Sequence, residues 1–252
     1  MPPDDRATGA YRATVPDRSR QEPTVPLTEG SSAGAARPLP PGQRVAPLRR
    51  FGLPWFAGRV PAPPVAPVIT IGGVVRRPTQ VPVAELMALG PRRDLVADLH
   101  CVTTWTATGL RWGGTPFATV HLYLADLVHP HPRARWIGVT GLDGYRACLR
   151  LDDALADDVL LADTFDGAPL TGPVGAPVRL VAPRQYGYKS VRHVCAIDYL
   201  LDHEGGSAGW LGHPRARVGR EERSRFLPGR VWRPVWRWAQ PRVRRAFHAV
   251  DG

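Results

Sequence analysis

Residues 97–115 read ADLHCVTTWTATGLRWGGT. The alternating run Asp94–Leu99 reads as a strand that delivers His100 and Cys101 at its end. A Thr-Thr-Trp turn follows, and the residues after it read as a polar, glycine-bearing loop. Functional side chains concentrate where rigid elements give way to loops, so Cys101 is the first candidate. A lone cysteine can be a core residue, a nucleophile or a metal ligand. The nucleophile needs a positioned base, and neighbours on a strand point to opposite sides, so His100 is poorly placed as that base. A thiolate ligand needs none, and the core reading stays open beside it. Cys148, on an alternating strand, and Cys195, in VRHVCAID, read as core cysteines.

A second stretch, APVRLVAPRQYGYKSVRHV (176–194), concentrates cations. Arg179, Lys189 and Arg192 fall around a turn at Gly187, and Lys189 is the only lysine in the chain. An arginine fork and a lysine point charge both suit a phosphate. A glycine turn lets backbone N–H groups approach an anion. A solvated basic turn is the bland reading of the same residues.

Outward from these stretches, the rest of the 252 residues divides by composition. Residues 1–45 are rich in Pro, Arg, Gly, Ser and Ala without apolar period and read as disordered. Residues 46–67 mix aromatics with prolines, which excludes helix and predicts an extended arm on the surface. Residues 68–204 hold the periodic segments. Val68–Ile71 predicts a strand, and Pro82 opens a short helix. Residues 116–127 have helical spacing, and strands at 135–142 and 145–151 flank the turn signal Asp143-Gly144. A helical turn at 152–157 and strands at 158–165, 177–182 and 191–201 complete a mixed α+β domain of short strands and helices. Residues 205–252 form an Arg/Trp-rich tail, in which Pro234 argues against a regular helix through Trp232 and Trp236.

The net charge is +11, and residues 213–252 hold eleven arginines against Glu221, Glu222 and Asp251. Such a tail suits an anionic membrane surface or an acidic partner, with nucleic acid less favoured. Its bland reading is an arm packed by its tryptophans. Three scattered cysteines make no disulfide framework, and no spacing fits c-type haem, an iron–sulfur cluster or zinc. The first residues show no apolar leader, and no run is long enough to span a bilayer. The expected compartment is the reducing cytoplasm.

In this order, HCVTTW, WGG, GLDGYRACLRL, DDVLLADTFDGAPL and GAPVRLVAPRQYGYKSVRHV resemble the sulfite-oxidase-type molybdopterin-binding domain, over about 66–202. The small haem-free bacterial members are the nearest likeness. The resemblance implies a Mo-pyranopterin dithiolene centre with one protein thiolate, and Cys101 matches that ligand. Arg179 matches the family arginine that reaches the cofactor phosphate. Ser190, Val191 and Arg192 match the turn that holds the pterin, and Lys189 precedes it. Asp143 falls where the family places a cofactor contact, and Tyr145 where it has a tyrosine near the substrate. The family arm Phe-x-Arg-Asn-His-Leu-Pro-x-Pro corresponds here to WFAGRVPAP (55–63). Arg59 stands at the histidine, taken here as a cofactor contact, and Ala57 at the anion-binding arginine. Val174 replaces a cofactor-contacting histidine, and Trp210 is placed to cap the pocket.

The resemblance therefore implies oxygen-atom transfer on a small S-oxide or sulfite-like substrate, with S-oxide reduction suiting Ala57 better. With no second redox centre encoded, electrons come from or go to a separate electron-transfer protein. The competing readings are a non-catalytic binding module on the same fold, and a protein whose tail binds an anionic surface or nucleic acid.

Overall fold

The computed structural model describes residues 38–221 and 228–251. In chain order the elements are β1 (Arg44–Val45), β2 (Val68–Gly73), β3 (Thr79–Pro82), α1 (Val83–Met87), β4 (Arg93–Cys101), β5 (Trp105–Pro116) and α2 (Phe117–Val128). Then come β6 (Trp136–Gly141), β7 (Arg146–Arg150), α3 (Leu151–Ala154), β8 (Leu160–Phe165), β9 (Ala168–Pro169), β10 (Arg179–Val181), β11 (Val194–Leu200) and α4 (Gly229–Asp251). Short 3-10 turns occupy Pro54–Phe56, Gly187–Lys189 and Gly206–Leu211.

Two sheets organise these strands. One runs β1-β5-β8-β10, with β4 also paired to β5 and β9 to β8. The other runs β3-β2-β11-β6-β7, with β11 parallel to β2 and antiparallel to β6. The α+β class read from the sequence is the class observed. Helix α2 buries Phe117, Val120, Leu124 and Val128, a stripe at helical spacing, in the larger core. Trp105, Trp112, Leu160 and Val181 build a second core on the first sheet, and the arm residues Leu48 and Phe51 pack against it.

The structure departs from the sequence reading in three places. The expected polar loop after Cys101 is a tight turn into β5, a twelve-residue strand. Its residues are buried on both faces over much of its length, so it lacks the alternation that marks a half-exposed strand. Its glycines are steric necessities: a Cβ on Gly114 would lie 2.2 Å from the Leu161 carbonyl oxygen, and one on Gly113 2.3 Å from Thr164 Oγ1. Second, the end of the segment read as disordered contributes β1, which pairs parallel with β5; residues 1–37 of that segment lie outside the described residues. Third, α4 is helical despite Pro234 and Pro241. The two prolines are seven residues apart and both exposed, so they share the outer face. The inner face, with Trp232, Trp236, Val243 and Phe247, packs on the domain.

The segment just past residue 204 is stitched to the domain. Ser207 Oγ accepts from the Arg146 backbone N–H at 2.9 Å, and Gln185 Nε2 donates to the Arg215 carbonyl at 2.9 Å. The Arg215 guanidinium pairs with Asp153.

Candidate functional site

Where β4 ends, the chain turns back through Val102, Thr103 and Thr104 so that Cys101 faces Trp105 across the hairpin. Thr104 takes a left-handed conformation (φ 76°) and its N–H returns to the Cys101 carbonyl at 3.1 Å. Gln43, one residue before β1, donates to the same carbonyl at 3.0 Å. The Cys101 Sγ, thus fixed, lies 3.1 Å from Thr103 Oγ1 and lines a cavity of about 270 Å³. His100 is engaged elsewhere: Nδ1 is 2.9 Å from Thr106 Oγ1, and the ring is not on the cavity wall. Burial lowers its pKa.

Arg179, on β10, reaches the same cavity almost fully buried. Its guanidinium lies over the Trp112 ring at 4.7 Å and donates to the carbonyls of Val174 (2.8 Å) and Ser190 (3.4 Å). Its Nε has no hydrogen-bond partner among the described residues. No described carboxylate offsets its charge; burial, and then Arg192, push its pKa down to about 9. A buried charge without a counter-charge costs several kcal/mol, so this arrangement calls for an anion. Gly175 makes the pairing with Arg192 sterically possible. At φ 123° it presents no Cβ, which would lie 3.0 Å from the Arg192 Cβ and 3.3 Å from the Arg179 Cβ.

Arg192, Ser190, Asp143 and Tyr145 line the cavity with Cys101 and Arg179. Ser190 Oγ accepts from the Ala182 N–H at 3.1 Å, which pins the turn. Asp143 Oδ1 accepts from the Tyr145 N–H at 3.0 Å. The Tyr145 hydroxyl donates to the Tyr188 carbonyl at 2.7 Å, and burial raises the phenol pKa, so it stays protonated. Phe56 packs edge-on against its ring at 5.3 Å.

Four sequence candidates lie off the wall. Lys189 is buried, but its ammonium donates to the carbonyls of Cys148 and Pro214 (2.8 Å for the latter). Its expected role at a cofactor phosphate is therefore withdrawn, because adjacent residues of the 3-10 turn project in different directions. Val191 points into the core, and its carbonyl accepts from Leu180 at 2.8 Å, so it holds the turn in place. Arg59 is exposed, stacks over Phe56 and donates to the Asp143 carbonyl at 3.0 Å, touching the site only through these two wall residues. Trp210 stacks near Trp232 with 67% of its surface exposed and does not cap the cavity.

Other wall residues escaped the sequence reading. Ala57 is buried where the family arginine was expected, yet Arg50 reaches the wall and donates to the Ala57 carbonyl at 2.6 Å. Phe51 and Phe56 from the arm, and Trp236 and Val243 from α4, supply apolar surface. The helical spacing of Trp232, Trp236, Val243 and Phe247 was a signal, which Pro234 masked. Cys148 is buried and Cys195 is off the wall. Among the described residues no group of three His, Cys, Asp or Glu side chains could hold a metal. Among the described wall residues the soft donor atom is thus the Cys101 sulfur, which shares the cavity with Arg179 and Arg192.

With this geometry in view, the comparisons with known proteins bear directly on it. A family model described as "Oxidoreductase molybdopterin binding domain" matches residues 58–207. The protein-methionine-sulfoxide reductase catalytic subunit MsrP of Gluconobacter oxydans is 32% identical over 157 residues, 56% of this chain and 49% of that protein. The MsrP subunit of Ralstonia nicotianae is 31% identical over 147 residues, 52% of this chain and 43% of that protein. The chain thus spans about half the length of the curated relatives it matches. Among solved structures, the sulfane dehydrogenase SoxCD of Paracoccus pantotrophus aligns with a TM-score of 0.49 at 19% identity, covering 63% of this chain and 45% of that one. One expectation is overturned: the MsrP relatives are periplasmic enzymes, so the cytoplasmic location does not stand. Cys101, Cys148 and Cys195 take part in no disulfide, which carries no information about compartment.

Proposed function

Since the chain belongs to the oxidoreductase molybdopterin-binding domain family, we propose that it reduces a sulfoxide at a mononuclear molybdenum centre ligated by Cys101. Molybdopterin is the family's cofactor. The observation that carries the reading is Arg179, buried without a carboxylate in a cavity whose wall also holds the Cys101 thiol. That residue set fits the cofactor: a soft thiolate suits the metal, and Arg179 with Arg192 suits the phosphate. Ser190, Asp143 and the backbone of the 187–190 turn would hold the pterin.

When bound, the cofactor supplies two-electron oxygen-atom chemistry. The chain's residues supply position and environment. Arg179 and Arg192 neutralise the anionic end. The Tyr145 phenol, kept protonated and tied to the Tyr188 carbonyl, shapes the substrate side without serving as a proton source. Phe51, Phe56, Trp236 and Val243 exclude water and receive an apolar thioether flank. The balanced reaction takes a sulfoxide, two electrons and two protons to a thioether and water. The S–O bond breaks and the oxygen leaves as water. The electrons come from a separate electron-transfer protein, in keeping with relatives named as catalytic subunits. The same relatives, named for methionine sulfoxide, favour an S-oxide over sulfite.

Protein purified from a molybdenum-replete host should hold about one molybdenum per chain. It should reduce free or peptide methionine sulfoxide with a reduced viologen dye as donor. A chain without metal sinks the proposal. Oxidation of sulfite with an artificial acceptor, with sulfoxide untouched, reverses the direction of transfer.

A further inference from the structure

Helix α4 has two apolar faces, and among the described residues only one of them packs on the domain. The inner face carries Trp232, Trp236, Val243 and Phe247; Trp236 and Val243 line the cavity and Phe247 stacks on Phe51 at 5.9 Å. On the opposite face Val231, Val235 and Trp238 stand at successive helical turns, exposed by 44%, 46% and 67%. Arg230, Arg242 and Arg245 flank this stripe, all exposed, whereas the exposed Arg237 turns back and donates to the Gly42 carbonyl at 3.4 Å. No Asp or Glu occurs between Gly229 and Val250. The Arg242 guanidinium lies 4.2 Å from the Trp238 ring centroid, so the cation is carried by the apolar stripe itself.

We propose that this outer face of α4 docks the protein on an anionic phospholipid membrane surface. Three features select that occupant. An exposed valine–tryptophan stripe whose charged neighbours are all arginines matches a helix that lies in the headgroup plane: the indole sits at the interface and the cations meet lipid phosphates. The helix is roughly 34 Å long and held along its inner face, so it presents a fixed strip to a flat surface. Pro234 and Pro241 cannot donate to the carbonyls of Arg230 and Arg237, four residues back, so the helix must lie where water or headgroups reach them. That limits the docking to headgroup depth. No described helix is long and apolar enough to cross a membrane. An acidic protein partner would also use the arginines, but it gives no reason for an exposed tryptophan at the centre of the strip. Docking here sets the cavity beside the bilayer, since the other face of the same helix walls it.

The test is co-sedimentation of the full chain with vesicles, and it does not depend on bound cofactor or on turnover. The wild type should bind phosphatidylcholine vesicles that contain phosphatidylglycerol, release them in high salt, and ignore pure phosphatidylcholine. The double variant Val235→Ser/Trp238→Ser should lose about tenfold in partitioning, and so should Arg242→Gln/Arg245→Gln. Thermal melts of both variants should match the wild type, because these side chains are exposed. Absence of wild-type binding to anionic vesicles at low salt overturns the proposal. So does binding that survives loss of Val235 and Trp238, or binding to soluble polyglutamate without binding to vesicles, which would assign the arginines to an acidic protein.

Discussion

The floor and the wall of the cavity are built on different principles. The floor is Cys101, Arg179, Ser190 and Arg192, placed by β4, β10 and the turn that follows it. Backbone pairing holds that region: Leu180 with Val191 at 2.8 Å, Thr104 with Cys101 at 3.1 Å. The wall is Phe51, Phe56, Trp236 and Val243, joined through ring contacts such as Phe56 on Tyr145 and Phe51 on Phe247. Charge faces the cavity mainly from the floor, and apolar area dominates the wall, where Arg50 donates to the Ala57 carbonyl. On the proposed reading, a cofactor with an anionic end would be recognised by groups set in the sheet. A substrate meets side chains that can change without disturbing the sheet. Substitutions in the floor should alter what the protein holds, and substitutions in the wall should alter what it acts on.

The sharpest way to break that division is Cys101→Ser. Altering residues that merely support a metal ligand costs about 10- to 100-fold in metal affinity. Removing the ligand itself should lower molybdenum content and sulfoxide reduction by more than about 100-fold. Metal analysis on the purified variant decides it; full molybdenum content would move the ligand elsewhere. Arg179→Met comes next. Loss of a charge-assisted contact to the phosphate should lower pterin retention about 10- to 100-fold. The cofactor-free protein should be as stable as the wild type or more so by about 1 kcal/mol, because an uncompensated buried charge is gone. A variant that retains pterin, or whose cofactor-free form melts well below the wild type, shows that the guanidinium is a structural strut and not an anion site.

The floor was more legible in sequence than the wall, for physical reasons. The end of β4 could be read because alternation stops at Cys101, and the β6–β7 hairpin because Asp143-Gly144 suits a tight turn. Helix α2 announced itself by its spacing. Strand β5 did not, because a strand buried on both faces and thinned by Gly113 and Gly114 carries no alternation. Arg179 and Lys189 looked equivalent as cations. Only the fold shows that one reaches the cavity while the other turns to the carbonyls of Cys148 and Pro214. The wall was hidden because it joins the arm to α4 across most of the chain. No local pattern connects Phe51 with Phe247, and Pro234 argued against the helix that brings them together.

Trp236→Ala probes the wall. The indole contributes apolar surface to the cavity and no ligand to the floor. Molybdenum and pterin content should be unchanged, while KM for methionine sulfoxide rises about tenfold, equivalent to ~1.4 kcal/mol of lost apolar contact. The kcat should change less than KM, as for an interaction present equally in the ground and transition states. Loss of cofactor together with the KM change would erase the distinction between floor and wall. A KM change for sulfoxide without one for a small, polar sulfoxide would sharpen it.

The smallest functional effect is expected at Lys189, the cation that belongs to neither region. Lys189→Met should leave cofactor content and turnover at neutral pH within about twofold, since the ammonium is off the cavity wall. Its signature is in stability. Burial lowers its pKa to about 8, from the ordinary 10.5. Below about pH 8 both folded and unfolded states hold the proton, and the cost of burying the charge is fully present. Between about pH 8 and 10.5 the unfolded chain binds more protons than the folded one, so wild-type stability rises with pH through that window. Methionine leaves the carbonyls of Cys148 and Pro214 without their donor, but that cost does not vary with pH. Urea unfolding of the cofactor-free wild type and variant at about pH 7.5 and about pH 9.5 separates the two contributions. The wild type should gain about 2 kcal/mol on the variant over that interval. A difference that stays constant with pH would mean that water reaches the ammonium and that its burial has no energetic consequence.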